Sequence, residues 1–202
     1  MLITEVIKPK RYKPIKKSAT AADIKQCPYY FAYGMNTHSE NMMIRTGDSI
    51  DLGRAMLPNF RLEFIEFCDV QPDSSNDVVG VLWKMSPAGL AQLDVREGYP
   101  THYDRKIMNV MTNADGEDCP AWVYYMTPRK AAAGLYPPSE HYWNTVNAGY
   151  REHGVQRHQL LDAYERAWDF YEENYPPIVN DKDDKNDDDY YNNDFFSDEY
   201  RK

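Results

Sequence analysis

Cysteine is scarce in this 202-residue chain, and none of the three present (Cys27, Cys68, Cys119) sits in a CxxC pair. An odd, scattered set of thiols argues against a disulfide framework or a zinc site and fits a reducing cytoplasm. The five histidines (His38, His102, His141, His153, His158) form no HExxH pattern, so no metal centre is expected. The GxSxG and paired Cys/His signatures of covalent catalysis are missing too. No apolar run has the length of a membrane span, and Met1-Leu2-Ile3-Thr4-Glu5 lacks the basic start and apolar stretch of a signal peptide. Positive charge is in deficit. With 23 Lys and Arg against 32 Asp and Glu the net charge is −9, which argues against nucleic-acid binding by the whole molecule. We expect a cytoplasmic protein that uses no metal, no cofactor and no membrane.

What is present is aromatic. Hydrophobic residues make up 42 % of the chain, enough for one domain with a real core plus unfolded ends. Seventeen tyrosines against four tryptophans suit a semi-polar interior or cleft, where ring bodies pack and hydroxyls find partners. Charge is unevenly spread. Residues 1–27 carry Lys8, Lys10, Arg11, Lys13, Lys16 and Lys17 with Pro9 and Pro14, and read as a flexible basic arm. Residues 180–202 are rich in Asp, Asn and Tyr and read as a disordered acidic, aromatic tail. The folded domain is expected between them, at 28–179.

Within that domain, Tyr29 to Tyr33 reads as a short aromatic strand ended by Gly34, and His38 to Arg45 as one or two helical turns. Phe60 to Val70 reads as a strand, Pro72 to Asp77 as a turn, and Val78 to Trp83 as a buried strand. Ser86-Pro87 is a helix start, with Ser capping and Pro in the first helical position. Leu90, Leu93 and Asp94 continue at helical spacing until Gly98 stops the helix. Tyr103 to Thr112 and Ala121 to Met126 are strands joined by the hairpin signal Ala114-Asp115-Gly116. Ser139 caps a helix with Tyr142, Trp143, Val146 and Tyr150 on one face and Gly154 past its end. Leu160, Leu161, Tyr164, Trp168 and Tyr171 mark a last helix, closed by Pro176-Pro177. Strands first and helices last predict an α+β fold: a small mixed β-barrel-like sheet with helices packed at one side.

Two segments carry the chemistry. In Tyr33-Gly34-Met35-Asn36, a strand runs into a glycine turn whose successive N–H groups can hold a carboxylate or a developing oxyanion, although a plain strand-end turn has the same look. In Leu93-Asp94-Val95-Arg96-Glu97-Gly98, a helix ends on Glu97, which is either a solvated surface residue or an acid/base. Enclosure by aromatic walls would raise its pKa toward neutrality, as a general acid/base requires.

Taken in order, FAYGMN at Phe31 to Asn36, LPNFRLEF at Leu57 to Phe64, VVGVLWKM at Val78 to Met85, LDVREG at Leu93 to Gly98 followed by Tyr103, and VYYM then PPSEHY at Val123 to Tyr142 resemble the γ-glutamylcyclotransferase (AIG2-like) family. The ordered set spans about three-fifths of the chain. The resemblance implies a small barrel-like α+β fold, a substrate-binding turn at Tyr33, Gly34, Met35 and Asn36, and Glu97 as catalytic residue. It puts pocket tyrosines at Tyr103, Tyr124 and Tyr142, and Met35 where the family usually has Ser. It implies conversion of a γ-glutamyl amino acid, peptide or amine to 5-oxoproline, and relatives that are often homodimers. The alternative is a non-catalytic binding or regulatory protein on the same fold, engaging a protein partner through its charged ends, the acidic tail above all.

Overall fold

Five segments become strands, and parts of β1, β3 and β5 are buried on both faces. A computed structural model describes residues 27–112 and 118–175. Strands β1 (Tyr29–Ala32), β2 (Ile50–Ile65), β3 (Phe67–Lys84), β4 (Tyr103–Thr112) and β5 (Asp118–Met126) close a barrel in the order β1-β3-β2-β4-β5. All pairings are antiparallel except the closing one, where β1 runs parallel to β5 through Tyr30 and Trp122. The fold is therefore α+β around a small mixed barrel.

Helices fill the connections: α1 (Ser39–Thr46), α2 (Pro87–Glu97), the single turn α3 (Pro128–Ala131), α4 (Glu140–Glu152) and α5 (His158–Asn174). One strand face packs with α4 and α5 through Phe31, Leu62, Val123, Trp143, Val146 and Leu160. The other packs with α1 and α2 through Tyr30, Trp83, Trp122, Met42, Leu90 and Leu93. A strand buried on both sides has no polar face to display, which is why Val78 to Trp83 and Ala121 to Met126 read as continuous apolar runs. Gln159 on α5 fastens that helix to the barrel. Its side-chain amide exchanges hydrogen bonds with the Val79 backbone (2.9 and 2.7 Å) and donates to Tyr150 Oη (2.8 Å).

The helix signals hold. Ser86 Oγ accepts from Gly89 N (3.1 Å), Pro87 opens α2, and Gly98 (φ 62°) ends it in the left-handed region. Ser139 Oγ accepts from Tyr142 N, and α4 buries Tyr142, Trp143, Val146 and Tyr150 as the spacing requires.

One strand assignment and one turn assignment need correction. Phe60 to Val70 is not one strand: the chain reverses at Glu66 (φ 68°), so that Phe64 faces Cys68 across a tight hairpin. Pro72 to Asp77 does not reverse the chain. It stays within β3, where residues 73–76 loop out opposite the single residue Asn59. Asp73 takes Ser75 N (2.9 Å) and Asn76 Nδ2 (2.9 Å), and Asp77 takes Asn59 N, so the turn chemistry is spent on a bulge. The expected residues 114–116 and Pro176-Pro177 signals, the basic arm apart from Cys27, and the acidic tail lie outside the described residues. Cys27 itself is buried, with Trp122 Nε1 donating to its carbonyl (3.2 Å). No helix among the described residues is long and apolar enough to cross a membrane.

Candidate active site

Chain reversal just after β1 creates the site. Past Ala32 the backbone enters a 3-10 turn, Met35–Thr37, in which Thr37 N bonds Gly34 O (2.9 Å) and His38 N bonds Met35 O (3.2 Å). The N–H groups of Met35 and Asn36 have no partner among the described residues, as expected for the open end of a helical turn. Helix α4 holds this turn from behind. Tyr150 Oη donates to Tyr33 O (2.9 Å), and Gly149 lets the helix pass so close that a Cβ there would lie 2.3 Å from Thr37 Oγ1. Gly34 is required by proximity, since its φ is −118°; a Cβ would lie 2.9 Å from Tyr142 Oη and 3.0 Å from Cys68 Cβ.

Helix α2 brings the carboxylate. Its last residue is Glu97, and its last turn is clamped to the barrel by Asp94. Arg105 on β4 meets Asp94 through two nitrogens (2.6 and 2.9 Å), and Tyr124 Oη donates to the same carboxylate (2.5 Å). The Arg105 guanidinium is also sandwiched over Trp122 (4.3 Å) and Tyr99 (4.8 Å). The end of α2 is thereby fixed relative to the turn after β1.

Between them lies a cleft of about 260 Å³ that brings together all eight predicted residues: Tyr33, Gly34, Met35, Asn36, Glu97, Tyr103, Tyr124 and Tyr142. Only 15 % of the Glu97 side chain is exposed. Its Oε1 accepts from Asn36 Nδ2 (3.0 Å) and from Arg45 Nη1 (3.2 Å), whereas Oε2 accepts no hydrogen bond among the described residues. Burial raises the Glu97 pKa above the usual carboxylate range, and the Asn36 and Arg45 hydrogen bonds and charge only partly offset that. Asn36 Nδ2 also donates to Tyr30 Oη (2.9 Å), while Asn36 Oδ1 is buried without a partner among the described residues.

The tyrosines form walls more than donors. Tyr33 Oη donates to Tyr124 O (2.7 Å), Tyr103 Oη donates to Cys68 O (2.7 Å), and Tyr142 Oη accepts from Cys68 N (3.1 Å). Burial pushes the phenols of Tyr33, Tyr103 and Tyr142 well above their ordinary value, so all three stay neutral. Cys68 also faces the cleft, with burial lifting its thiol to about 12. A thiol held that high is a poor nucleophile at neutral pH.

Sequence reasoning missed Tyr30, Arg45, Phe67, Cys68 and His102, which line the same cleft. Tyr30 had a readable signal, because alternation along β1 places it beside Ala32 on the face toward α2. Arg45 lies three residues past the fully buried Met42 on α1, so its stem follows the apolar side of the helix. Phe67 and Cys68 reach the cleft only because the chain doubles back at Glu66, and no local pattern marks that.

Comparison with known proteins bears on the family and the fold. Residues 30–145 match the family described as gamma-glutamyl cyclotransferase, AIG2-like. A gamma-glutamylcyclotransferase of Bos taurus is 26 % identical over 138 residues, covering 62 % of this chain and 71 % of the relative. Its Homo sapiens counterpart is 27 % identical over the same length, with the same shares covered. Among solved structures, one named gamma-glutamyl cyclotransferase superposes with a TM-score of 0.56 at 25 % identity, over 69 % of this chain and 85 % of that one. With more than half of its length matched and the motif residues gathered around one cleft, this chain belongs to the gamma-glutamyl cyclotransferase, AIG2-like family.

Proposed function

We propose that the protein converts a γ-glutamyl amino acid, peptide or amine to 5-oxoproline and a free amine, with Glu97 as general acid/base. One observation carries the reading: a nearly buried carboxylate of raised pKa lines the same cleft as Met35 and Asn36, whose backbone N–H groups have no partner among the described residues. The unit that carries the activity is residues 28–179, between the basic arm and the acidic tail.

The substrate supplies its own nucleophile. Its α-amine reaches the γ-carbonyl to close a five-membered ring, so much of the entropic cost of bringing reactants together is already met. Glu97 takes a proton from the α-ammonium, the freed amine attacks the γ-carbon, and an oxyanion forms. The new ring C–N bond stays and the bond to the leaving nitrogen breaks. Over the cycle the attacking nitrogen gives up two protons and the leaving nitrogen gains two, so one carboxylate relays them in turn and ends as it began. No electrons are transferred. A carboxyl whose pKa lies above the usual range serves both directions of transfer better than a fully solvated one. The N–H groups of Met35 and Asn36 stabilise the oxyanion or hold the substrate carboxylate; one such preorganised donor is typically worth about 3–4 kcal/mol. The neutral tyrosines shape the cleft and exclude water.

The test is 5-oxoproline release from a panel of γ-glutamyl amino acids, peptides and amines, with wild type beside Glu97→Gln. Gln is nearly isosteric but cannot carry protons, so release is expected to vanish in a variant that stays folded. Full activity in Glu97→Gln would falsify the mechanism.

A further inference from the structure

The family resemblance puts Met35 where a serine is usual, and the proposed mechanism has no use for its side chain. In the structure that side chain is engaged. Arg45 on α1 spans two groups: Nη1 meets Glu97 Oε1 at 3.2 Å and Nη2 meets Met35 Sδ at 3.3 Å. We propose that Arg45 is a positioning residue for Glu97, and that the Met35 thioether is the acceptor that keeps its guanidinium turned toward that carboxylate.

Geometry and chemistry support the pair. Glu97 is the last residue of α2, and Gly98 leaves the helical conformation directly after it. Two donors, Asn36 Nδ2 and Arg45 Nη1, converge on Oε1 and select one orientation of the carboxylate. Oε2, which accepts no protein hydrogen bond among the described residues, is then the oxygen free to exchange protons. A planar guanidinium can bridge two groups with fixed geometry, whereas a lysine ammonium is a single point charge. The thioether is a weak acceptor, but it sits on a flexible stem that can follow its partner. A serine hydroxyl ends one bond earlier than the methionine sulfur.

The other groups around Glu97 do not duplicate this role. Tyr30 from β1 and Tyr103 from β4 are phenols held neutral by burial, and His102 beyond α2 has its pKa lowered by burial. Arg96, its chain neighbour, lines the cleft but makes no ion pair among the described residues.

The proposal's kinetic arm rests on the cyclotransferase reading; its titration arm does not. Protein labelled with ¹³C at glutamate carboxyls would be titrated by NMR, the Glu97 signal being assigned by its loss in Glu97→Gln. In Arg45→Met the Glu97 midpoint is expected to rise by about one pH unit, the lower end of what a nearby opposite charge contributes. Arg45→Lys should keep the midpoint near wild type because the charge remains. Met35→Leu, similar in size but without the acceptor, should fall between. In turnover, Arg45→Met and Arg45→Lys should both lose kcat, up to about 100-fold, with KM little changed, because a misdirected carboxylate slows proton transfer without weakening binding. An unmoved Glu97 midpoint in Arg45→Met overturns the proposal. So does a loss confined to KM, which would make Arg45 a reader of the substrate carboxylate. Wild-type protein that releases no 5-oxoproline sinks the cyclotransferase reading, and the titration still decides whether Arg45 and Met35 set the state of Glu97.

Discussion

Glu97 is a carboxylate held largely out of solvent at a cost in stability. Burial favours its neutral form, and the partial compensation from Asn36 and Arg45 leaves the folded-state pKa above the unfolded value. An acid with a raised folded pKa ionises first in the unfolded chain. Stability from this group is therefore full below the unfolded pKa and is lost as pH rises through the folded pKa, then stays level. Glu97→Gln has nothing to ionise. Its melting temperature relative to wild type is expected to rise as pH goes from 4 to 7, and a difference that stays flat across that range would mean that burial does not govern this carboxylate. A variant that loses catalysis while gaining stability at neutral pH is the pattern of a strained catalytic group. Glu97 was legible from the helix-ending LDVREG segment together with the family resemblance. The raised pKa was not, because desolvation depends on Tyr30 and Tyr103, which arrive from β1 and β4.

Among the elements, the meeting of the Met35–Thr37 turn with α4 and β3 sets the tolerance of the site. Gly34→Ala would thrust a methyl against Tyr142 Oη and Cys68 Cβ, and Tyr142 Oη is itself engaged by Cys68 N. The Cβ of a buried strand residue on one side and a buried ring on the other leave little room to yield. The substitution is expected to cost about 1–3 kcal/mol by overpacking, read as a lowered melting temperature with a raised KM as the turn shifts. An unchanged KM and stability would show that the hydroxyl can move aside. The motif pointed to a glycine here for one of two reasons, a positive φ or a close approach. With φ at −118° the reason is the approach of α4 and β3, two elements remote in sequence. Helix boundaries, by contrast, were readable in place. Ser86, Pro87, Gly98 and Ser139 act on their own first or last turn, so local chemistry suffices. The hairpin at Glu66 was hidden because a charged residue in the left-handed region gives no glycine or proline signal, while Pro72 to Asp77 advertised a turn that the barrel absorbs as a bulge.

Over the whole molecule, each residue assigned to the site lies between Tyr30 and Tyr142, inside the barrel and the helices that touch it. Deleting residues 180–202 is therefore expected to leave kcat/KM within about two- to threefold of wild type, the span of a change of about 0.5 kcal/mol. A larger loss in steady-state assays would assign the acidic tail a part in catalysis and reopen the partner-binding alternative. The linear order of residues determined the fold class and most of the strands and helices, and it singled out one turn and one carboxylate as candidates for the chemistry. These depend on periodicity, caps and a motif series that act over a few residues at a time. Only the tertiary structure decided that Arg45 bridges Met35 and Glu97, that the Tyr33 and Tyr103 hydroxyls are spent on backbone carbonyls, and that Cys68 stands in the cleft wall. Most of those contacts join segments far apart in the chain, where packing rather than local propensity chooses the neighbours.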